Sequence, residues 1–263
     1  MRATMRFEGK SMIVTGAAQG IGRQVAIEAA AEGALLALVD RSPIVQAVAR
    51  EINDAGGPGF AFAIEEDLET FAGNERVVAQ ALARHGGVDI LVTNVGGAIR
   101  MQPFQEFSEQ QIVAEINRSL YPTLWGCRAV LPLMLEQNRG SIVNVSSIAT
   151  KGINRLPYSA AKGAVNALTA SLAFEIGARN VRVNAVAPGG TTAPPRKVAR
   201  GPGAADARER QWVKEVVDQT IASSHMGRYG LLREMSAAIL FLASDAASYI
   251  TGTVLPVGGG DQG

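Results

Sequence analysis

Short runs of consecutive apolar residues recur along the chain, each followed by a stretch of helical spacing, and this alternation restricts the fold more than any other feature. The apolar runs fall at residues 11–15, 35–40, 60–64, 88–93, 141–145, 181–186 and 253–257. Helical periodicity fills 20–32, 43–56, 71–85, 157–177, 205–222 and 233–243. A longer helical stretch at 109–135 is expected to be broken or bent near Pro122, with Pro132 a second irregularity. Strands that are apolar throughout are buried on both faces, which is the habit of parallel sheets covered by helices. No repeat or shift in composition divides the 263 residues, so one domain over 1–263 is expected. A Gly/Pro/Arg-rich segment at 188–203 reads as a mobile loop, the first part of a substrate lid at about 188–225.

The turn after the first run carries Gly16, Gly20 and Gly22, with Gln19 and Ile21 between them. Glycines between a strand and a helix let the backbone approach a pyrophosphate, which the helix N-terminus attracts. Asp40 ends the next apolar run, about twenty residues on, where a carboxylate can accept both ribose hydroxyls of NAD and repel the extra phosphate of NADP. Arg41 follows at once and is expected to be a solvated side chain beside that site. The fold class expected is therefore α/β, a Rossmann-type doubly wound parallel sheet with NAD as cofactor.

Other function classes are excluded by composition. A net charge of +1, with no basic tract in either half, argues against nucleic acid or an anionic membrane as a partner. One cysteine, Cys127, rules out an intrachain disulfide, and His85 and His225 lie too far apart to form a paired metal motif, so no metal is expected. The first ten residues lack a long apolar core or cleavage signal, and the run at 34–39 is far too short to cross a bilayer. A cytoplasmic location is the expectation.

Tyr158 and Lys162 stand four residues apart, on one face of the helix expected at 157–177, and Ser147 lies a short loop upstream. A phenol ionises near pH ~10, so a neutral-pH base requires its pKa to fall by about 2–3 units. An adjacent ammonium and a hydroxyl donor both favour the phenolate. That arrangement suits removing a proton from an alcohol while its carbon loses a hydride.

With these pieces in order, the chain resembles the short-chain dehydrogenase/reductase family over essentially its whole length. The resemblance rests on the glycine segment from Thr15 to Gly22, on Asp67-Leu68, Asn94-Val95-Gly96-Gly97, Ser147, Tyr158 with Lys162, Arg182-Val183-Asn184, Pro188-Gly189-Gly190 and Thr251-Gly252. It implies that Asp67 and Leu68 flank the adenine and that Asn94, Val95 and Gly96 border the cofactor. It further implies that Pro188, Gly189 and Thr191 shape the nicotinamide side, and that the assembly is a homotetramer. The family serine follows its strand directly, which selects Ser147 over Ser146. One departure concerns catalysis: the family's asparagine falls, by ungapped counting, at Ser119. Asn117 lies two residues earlier, about 200° around a helix, and should not substitute directly. Either Ser119 or a water takes up that role, or the helix is irregular near Pro122.

Within the family the chain is more similar to cis-dihydrodiol dehydrogenases of aromatic carboxylates, of the benzoate cis-diol and 2,3-dihydroxy-2,3-dihydro-p-cumate types. Segments away from the cofactor motifs carry this, among them Ser119 to Trp125, Gly152-Ile153-Asn154-Arg155 and Ala193-Pro194-Pro195-Arg196. The loop Ala98-Ile99-Arg100-Met101 departs from the tryptophan-containing benzoate form, which leaves the ring substituent open and tilts toward the p-cumate type or a related acid. The resemblance implies a small-molecule substrate oxidised to a catechol-type product, with carbon dioxide lost if the diol carbon bears the carboxylate. A carboxylate substrate invites a bidentate guanidinium. Arg155 is the first candidate, with Arg100 and Arg196 behind it and Asn154 alongside. The alternatives are a carbonyl reductase of the 3-oxoacyl or sugar-alcohol type and a cofactor-binding regulator without catalysis.

Overall fold

The computed structural model describes residues 5–263; the first four, part of the stretch read for a targeting signal, lie outside it. In chain order the main strands are β1 (Ser11–Thr15), β2 (Leu35–Asp40), β3 (Phe60–Glu65), β4 (Ile90–Thr93), β5 (Gly140–Val145) and β6 (Val181–Pro188). A two-residue β7 (Thr191–Thr192) pairs with a two-residue β8 (Gly230–Leu231), and β9 (Val254–Val257) closes the main sheet. The helices are α1 (Gly20–Ala31), α2 (Ile44–Asp54), α3 (Phe71–His85), α4 (Glu109–Ser119), α5 (Tyr121–Glu136), α6 (Leu156–Ile176), α7 (Ala207–Ser223) and α8 (Leu232–Ala243).

The main sheet has seven parallel strands in the order β3-β2-β1-β4-β5-β6-β9. Its strands alternate between two cores, as a period of two requires. Met12 and Val14 of β1 join Leu36 and Leu38 of β2 in one apolar cluster, packed on α1, α2 and α8. Ile13, Ala37 and Val39 face the other cluster, under α3, α5 and α6. The chain runs outward from β1 to β3 and then returns to β4 on the other side of β1. That reversal opens a crevice beyond the carboxyl ends of β1 and β4, where ligands bind in such sheets.

Local chemistry sets the helix ends that matter here. Thr70 caps α3 by accepting from the Gly73 amide, and Ser108 with Gln111 forms a capping box on α4. Of the break or bend expected near Pro122, the structure has a break: the stretch is two helices parted at Leu120, whose φ and ψ are −114° and −55°. The Thr123 amide turns to the Leu120 carbonyl, and Pro122, with no amide of its own, fits the first turn of α5. Pro132 sits inside α5. The region expected as a lid is also more ordered than a loop. It holds β7, an irregular strap at 193–206, and all of α7.

Beneath the crevice, Asn144 of β5 is fully buried and ties three elements together. Its Oδ1 accepts from the Thr93 hydroxyl of β4 at 2.9 Å and from Cys127 Sγ of α5 at 3.5 Å. Its Nδ2 donates to Thr169 Oγ1 of α6 at 2.9 Å.

Candidate active site

The crevice is a cavity of about 360 Å³ bounded by the glycine turn, the tips of β2, β4, β5 and β6, the start of α6 and the strap. Gly16, Gln19, Gly20 and Ile21 line one end. Gly16 and Gly20 have φ of 64° and 62°, the left-handed region where a side chain strains the backbone. Nothing lies within 4 Å of where a Gly20 Cβ would stand, so the turn is open toward the cavity. Gly22 does not line it; a Cβ there would come within 2.3 Å of the Gly16 carbonyl oxygen, so this glycine serves close packing of the turn on its helix.

Asp40 stands at the β2 tip with its carboxylate fixed by the Ala18 amide at 3.1 Å and the Ser42 amide at 3.0 Å. Arg41, Asp67 and Leu68 line the same end. Asn94 closes the floor: its amide nitrogen donates to the Thr15 and Gly16 carbonyls at 3.1 and 3.2 Å, and its backbone N–H donates to Thr15 Oγ1. Val95 and Gly96 continue along it, and Pro188, Gly189 and Thr191 form the facing wall.

Ser147, Tyr158 and Lys162 all open onto this cavity. Ser147 follows β5 and caps a short 3-10 turn, its Oγ accepting from the Ala149 amide at 3.0 Å, which leaves its O–H free to donate outward. Ser146 differs: its hydroxyl faces α6, with the Asn166 Oδ1 at 2.5 Å and the Lys162 carbonyl at 3.2 Å as the acceptors for its one proton. Tyr158 and Lys162 are successive turns of α6. Lys162 is 3% exposed and its Nζ donates to the Val145 carbonyl at 2.7 Å. A Cβ on Gly96 would lie 3.1 Å from that Nζ, so glycine keeps the ammonium reachable from the cavity. Burial, aided by the nearby Arg200 charge, pushes the Lys162 pKa down to about 7.

The remaining expectations divide. Arg155 and Arg196 line the cavity. Arg155 Nη2 reaches Gln219 and Thr220 of α7, each at 3.3 Å, while its Nε is buried without a partner. Arg100 and Asn154, expected beside the substrate, do not line the cavity. The Arg100 amide is held by Glu115. Asn154 adopts a φ of 55° in the turn before α6 and donates to Glu215 of α7. The direction of both side chains is set by turns that no periodicity marks. Ser119, expected in a catalytic role, is fully buried beneath the floor, and its Oγ accepts from the Gly97 amide at 3.3 Å. It supports the loop after β4 and is not a wall of the cavity.

One residue that sequence reasoning passed over is Arg200, which lies among the cavity residues. The only signal available for it was its place in the Arg-rich strap beside Arg196.

Residues 10–201 match the family model for short chain dehydrogenase. Over all 263 residues the chain is 61% identical to a 1,6-dihydroxycyclohexa-2,4-diene-1-carboxylate dehydrogenase of Acinetobacter baylyi, covering the whole of both. It is 55% identical to the protein of the same name from Pseudomonas putida over 258 residues, 98% of this chain and 94% of that one. Among solved structures, an NAD+-bound xylitol dehydrogenase superposes with a TM-score of 0.84 at 28% identity, covering 97% of this chain and all of the other.

Proposed function

The chain belongs to the short-chain dehydrogenase family and is an oxidoreductase of CH–OH groups in a cis-dihydrodiol carboxylate, and from that premise we propose a specific substrate and assign its residues. The substrate is 1,6-dihydroxycyclohexa-2,4-diene-1-carboxylate, the diol acid in the names of the relatives at 61% and 55% identity. Of the two diol types that the sequence resembles, this is the benzoate type, and the tilt toward p-cumate gives way to it.

The cofactor is a nicotinamide dinucleotide, and the residues present fit one. The open glycine turn at the α1 N-terminus suits a pyrophosphate, and the glycine at position 96 keeps Lys162 accessible to a ribose. Asp40, with its carboxylate already oriented by two amides, supports NAD over NADP. When bound, the nicotinamide accepts hydride from the carbinol carbon.

Carbon 1 of this substrate carries the carboxylate and a hydroxyl but no hydrogen, so only carbon 6 can be oxidised. Tyr158 removes the proton of the carbon 6 hydroxyl, and the free O–H of Ser147 donates to the same oxygen. Lys162, as the ammonium, favours the phenolate of Tyr158 and holds the ribose. The new ketone is β to the carboxylate, so loss of carbon dioxide leaves an enolate that takes up one proton to become catechol. The diol anion and NAD thus yield catechol, carbon dioxide and NADH, with no net proton. Arg155, whose buried Nε has no internal acceptor, offers the substrate carboxylate a charge-assisted bond.

The observation that carries this reading is that Ser147, Tyr158, Lys162 and the incompletely bonded Arg155 open onto one cavity with Asp40 and the glycine turn. NADH formation with a panel of benzoate and p-cumate cis-diols, with carbon dioxide followed alongside, tests it. Turnover of 3-oxoacyl or sugar substrates with none of the diol acids would replace it. We further propose a homotetramer in the cytoplasm. Phe174 on α6 is 94% exposed, an apolar surface suited to a partner helix, and light scattering gives the mass. No helix among the described residues is long and apolar enough to cross a membrane.

A further inference from the structure

The strap crosses the mouth of the cavity and is fastened at three points. At its base β7 pairs with β8. In the middle, Gln19 holds it with both ends of its amide: Nε2 donates to the Val198 carbonyl at 2.8 Å, and Oε1 accepts from the Lys197 and Val198 amides at 2.9 and 3.1 Å. Farther on, Gly201 lies against the loop after β4, so closely that a Cβ there would stand 2.5 Å from the Ile99 carbonyl oxygen. Arg200 sits between the last two fastenings. Its guanidinium rests on Gly97, where a Cβ would lie 2.4 Å from Cζ.

Arg200 lines the cavity and carries five N–H donors. Among the described residues, no side-chain hydrogen bond or ion pair engages Arg200. The charged groups around it do not neutralise it. Lys162 and Arg118 are cations, and Arg118 already pairs with Glu69 at 2.8 Å. Glu115 is the one acid in reach. Its Oε1 is taken by the Ile99 and Arg100 amides at 2.7 and 2.8 Å, and its buried Oε2 has no partner. Arg200 retains solvent-exposed area because the cleft is open, yet the protein around its guanidinium pushes its pKa down, with the Tyr158 phenol near enough to oppose that shift. A monoanion placed beside the reacting hydroxyl of Tyr158 would supply the missing counter-charge.

Resting on the proposed function, we propose that Arg200 is the specificity-determining residue that reads the substrate carboxylate, so that the strap shuts on anionic diols in preference to neutral ones. Arg155 meets the carboxylate from the fixed wall near α7, and Arg200 meets it from the strap. The carboxylate on carbon 1 is vicinal to the hydroxyl that Tyr158 deprotonates, and both guanidinia lie close enough to the Tyr158 phenol to feel its charge. Arg196, farther back on the strap, adds positive charge without sitting on the β4 loop.

The test compares wild type, Arg200→Met and Arg200→Lys with the diol acid, with neutral benzene cis-dihydrodiol, and with benzoate as a non-reacting anion. A charge-assisted bond to a carboxylate removed from water is worth about 2–5 kcal/mol, or roughly 30- to 5,000-fold. Arg200→Met should lower the ratio of kcat/KM for acid over neutral diol by that factor, and Arg200→Lys should recover part of it. Calorimetry with NAD present should show benzoate binding weakened by a similar factor in Arg200→Met. Trypsin cleavage after Lys197 should be slowed by NAD plus benzoate in wild type and not in Arg200→Met. An unchanged acid-to-neutral ratio with unchanged benzoate binding overturns the proposal. So does a raised KM for NAD alone, which would assign Arg200 to the cofactor. Wild type that turns over no diol acid overturns the proposed function instead, and the benzoate measurements still decide the role of Arg200.

Discussion

On the side of the cleft built from β1, β2 and β4, the side chains of Asp40, Asn94 and Thr15 are engaged by the protein itself. Asp40 accepts two amides, Asn94 donates to two carbonyls, and Thr15 Oγ1 both accepts from the Asn94 amide and donates to the Val92 carbonyl. On the side built from the β4 loop, the start of α6 and the strap, polar atoms are left open. Arg155 Nε and Glu115 Oε2 are buried without partners, and Arg200 is held by packing alone among the described residues. Buried polar groups are almost always satisfied, so the unpartnered Arg155 Nε beside the cavity marks where a ligand completes the bonding, and Arg200, which solvent reaches, adds positive charge to the same cleft. The first side is shaped in advance for a common cofactor. The second is shaped for one anion.

The most severe way to break this division is at Tyr158, which both sides serve. Tyr158→Phe should lose at least about 10²–10⁴ in kcat, with unfolding unchanged. NADH formation above a tenth of the wild-type rate would move the chemistry elsewhere. Arg155→Met sharpens the contrast. Losing a bond to a charged group costs about 1.5–3 kcal/mol, so KM for the diol acid should rise by roughly 10- to 100-fold while KM for NAD stays put. Equal rises in both constants would mean that the two sides are not independent.

Lys162 stands on the boundary and carries a different signature. Its pKa falls from 10.5 to about 7 on burial, so the native state binds fewer protons than the unfolded chain between those values. The cost of burying it is full below pH 7 and fades as pH rises toward 10.5. Lys162→Met should abolish turnover yet raise the unfolding free energy at pH 7 by about 1–3 kcal/mol, after allowing for the orphaned Val145 carbonyl. Denaturant titrations at neutral and at strongly alkaline pH should show that gain shrinking. The smallest effect is expected at Asp40. Asp40→Ala should narrow the preference for NAD over NADP by about 10-fold, or ~1.4 kcal/mol, read from kcat/KM with each cofactor.

How far the sequence reached follows the same division. The glycine turn, Asp40, and the Tyr158 and Lys162 pair were legible because each is defined by spacing within one element or across one strand–helix unit. The parallel sheet was legible because β1, β2 and β4 are apolar on both faces. The parting of α4 from α5 at Leu120 was only half visible: Pro122 announces an irregularity but not whether it bends a helix or ends one. Arg200 was missed and Arg100 misplaced for one reason. Both lie in segments without period, where a side chain's direction depends on distant partners such as Gln19 and Glu115. Ser119 stands out in the sequence as a departure from the family pattern, and its Oγ accepts from the Gly97 amide, a contact that no spacing announces.

The buried amide of Asn144 has a consequence for how the catalytic helix finds its place. A helix sliding along a sheet by one turn moves each side chain about 5.4 Å. An apolar interface of alanines and valines, such as α6 presents, resists that slip only weakly. Here a slip would strand the Asn144 Nδ2 away from water at a cost of about 1–3 kcal/mol, while the Thr169 hydroxyl keeps only its bond to the Val165 carbonyl of its own helix. The polar knot therefore acts as a ruler, rejecting misaligned packings and setting Tyr158 at the height of Ser147.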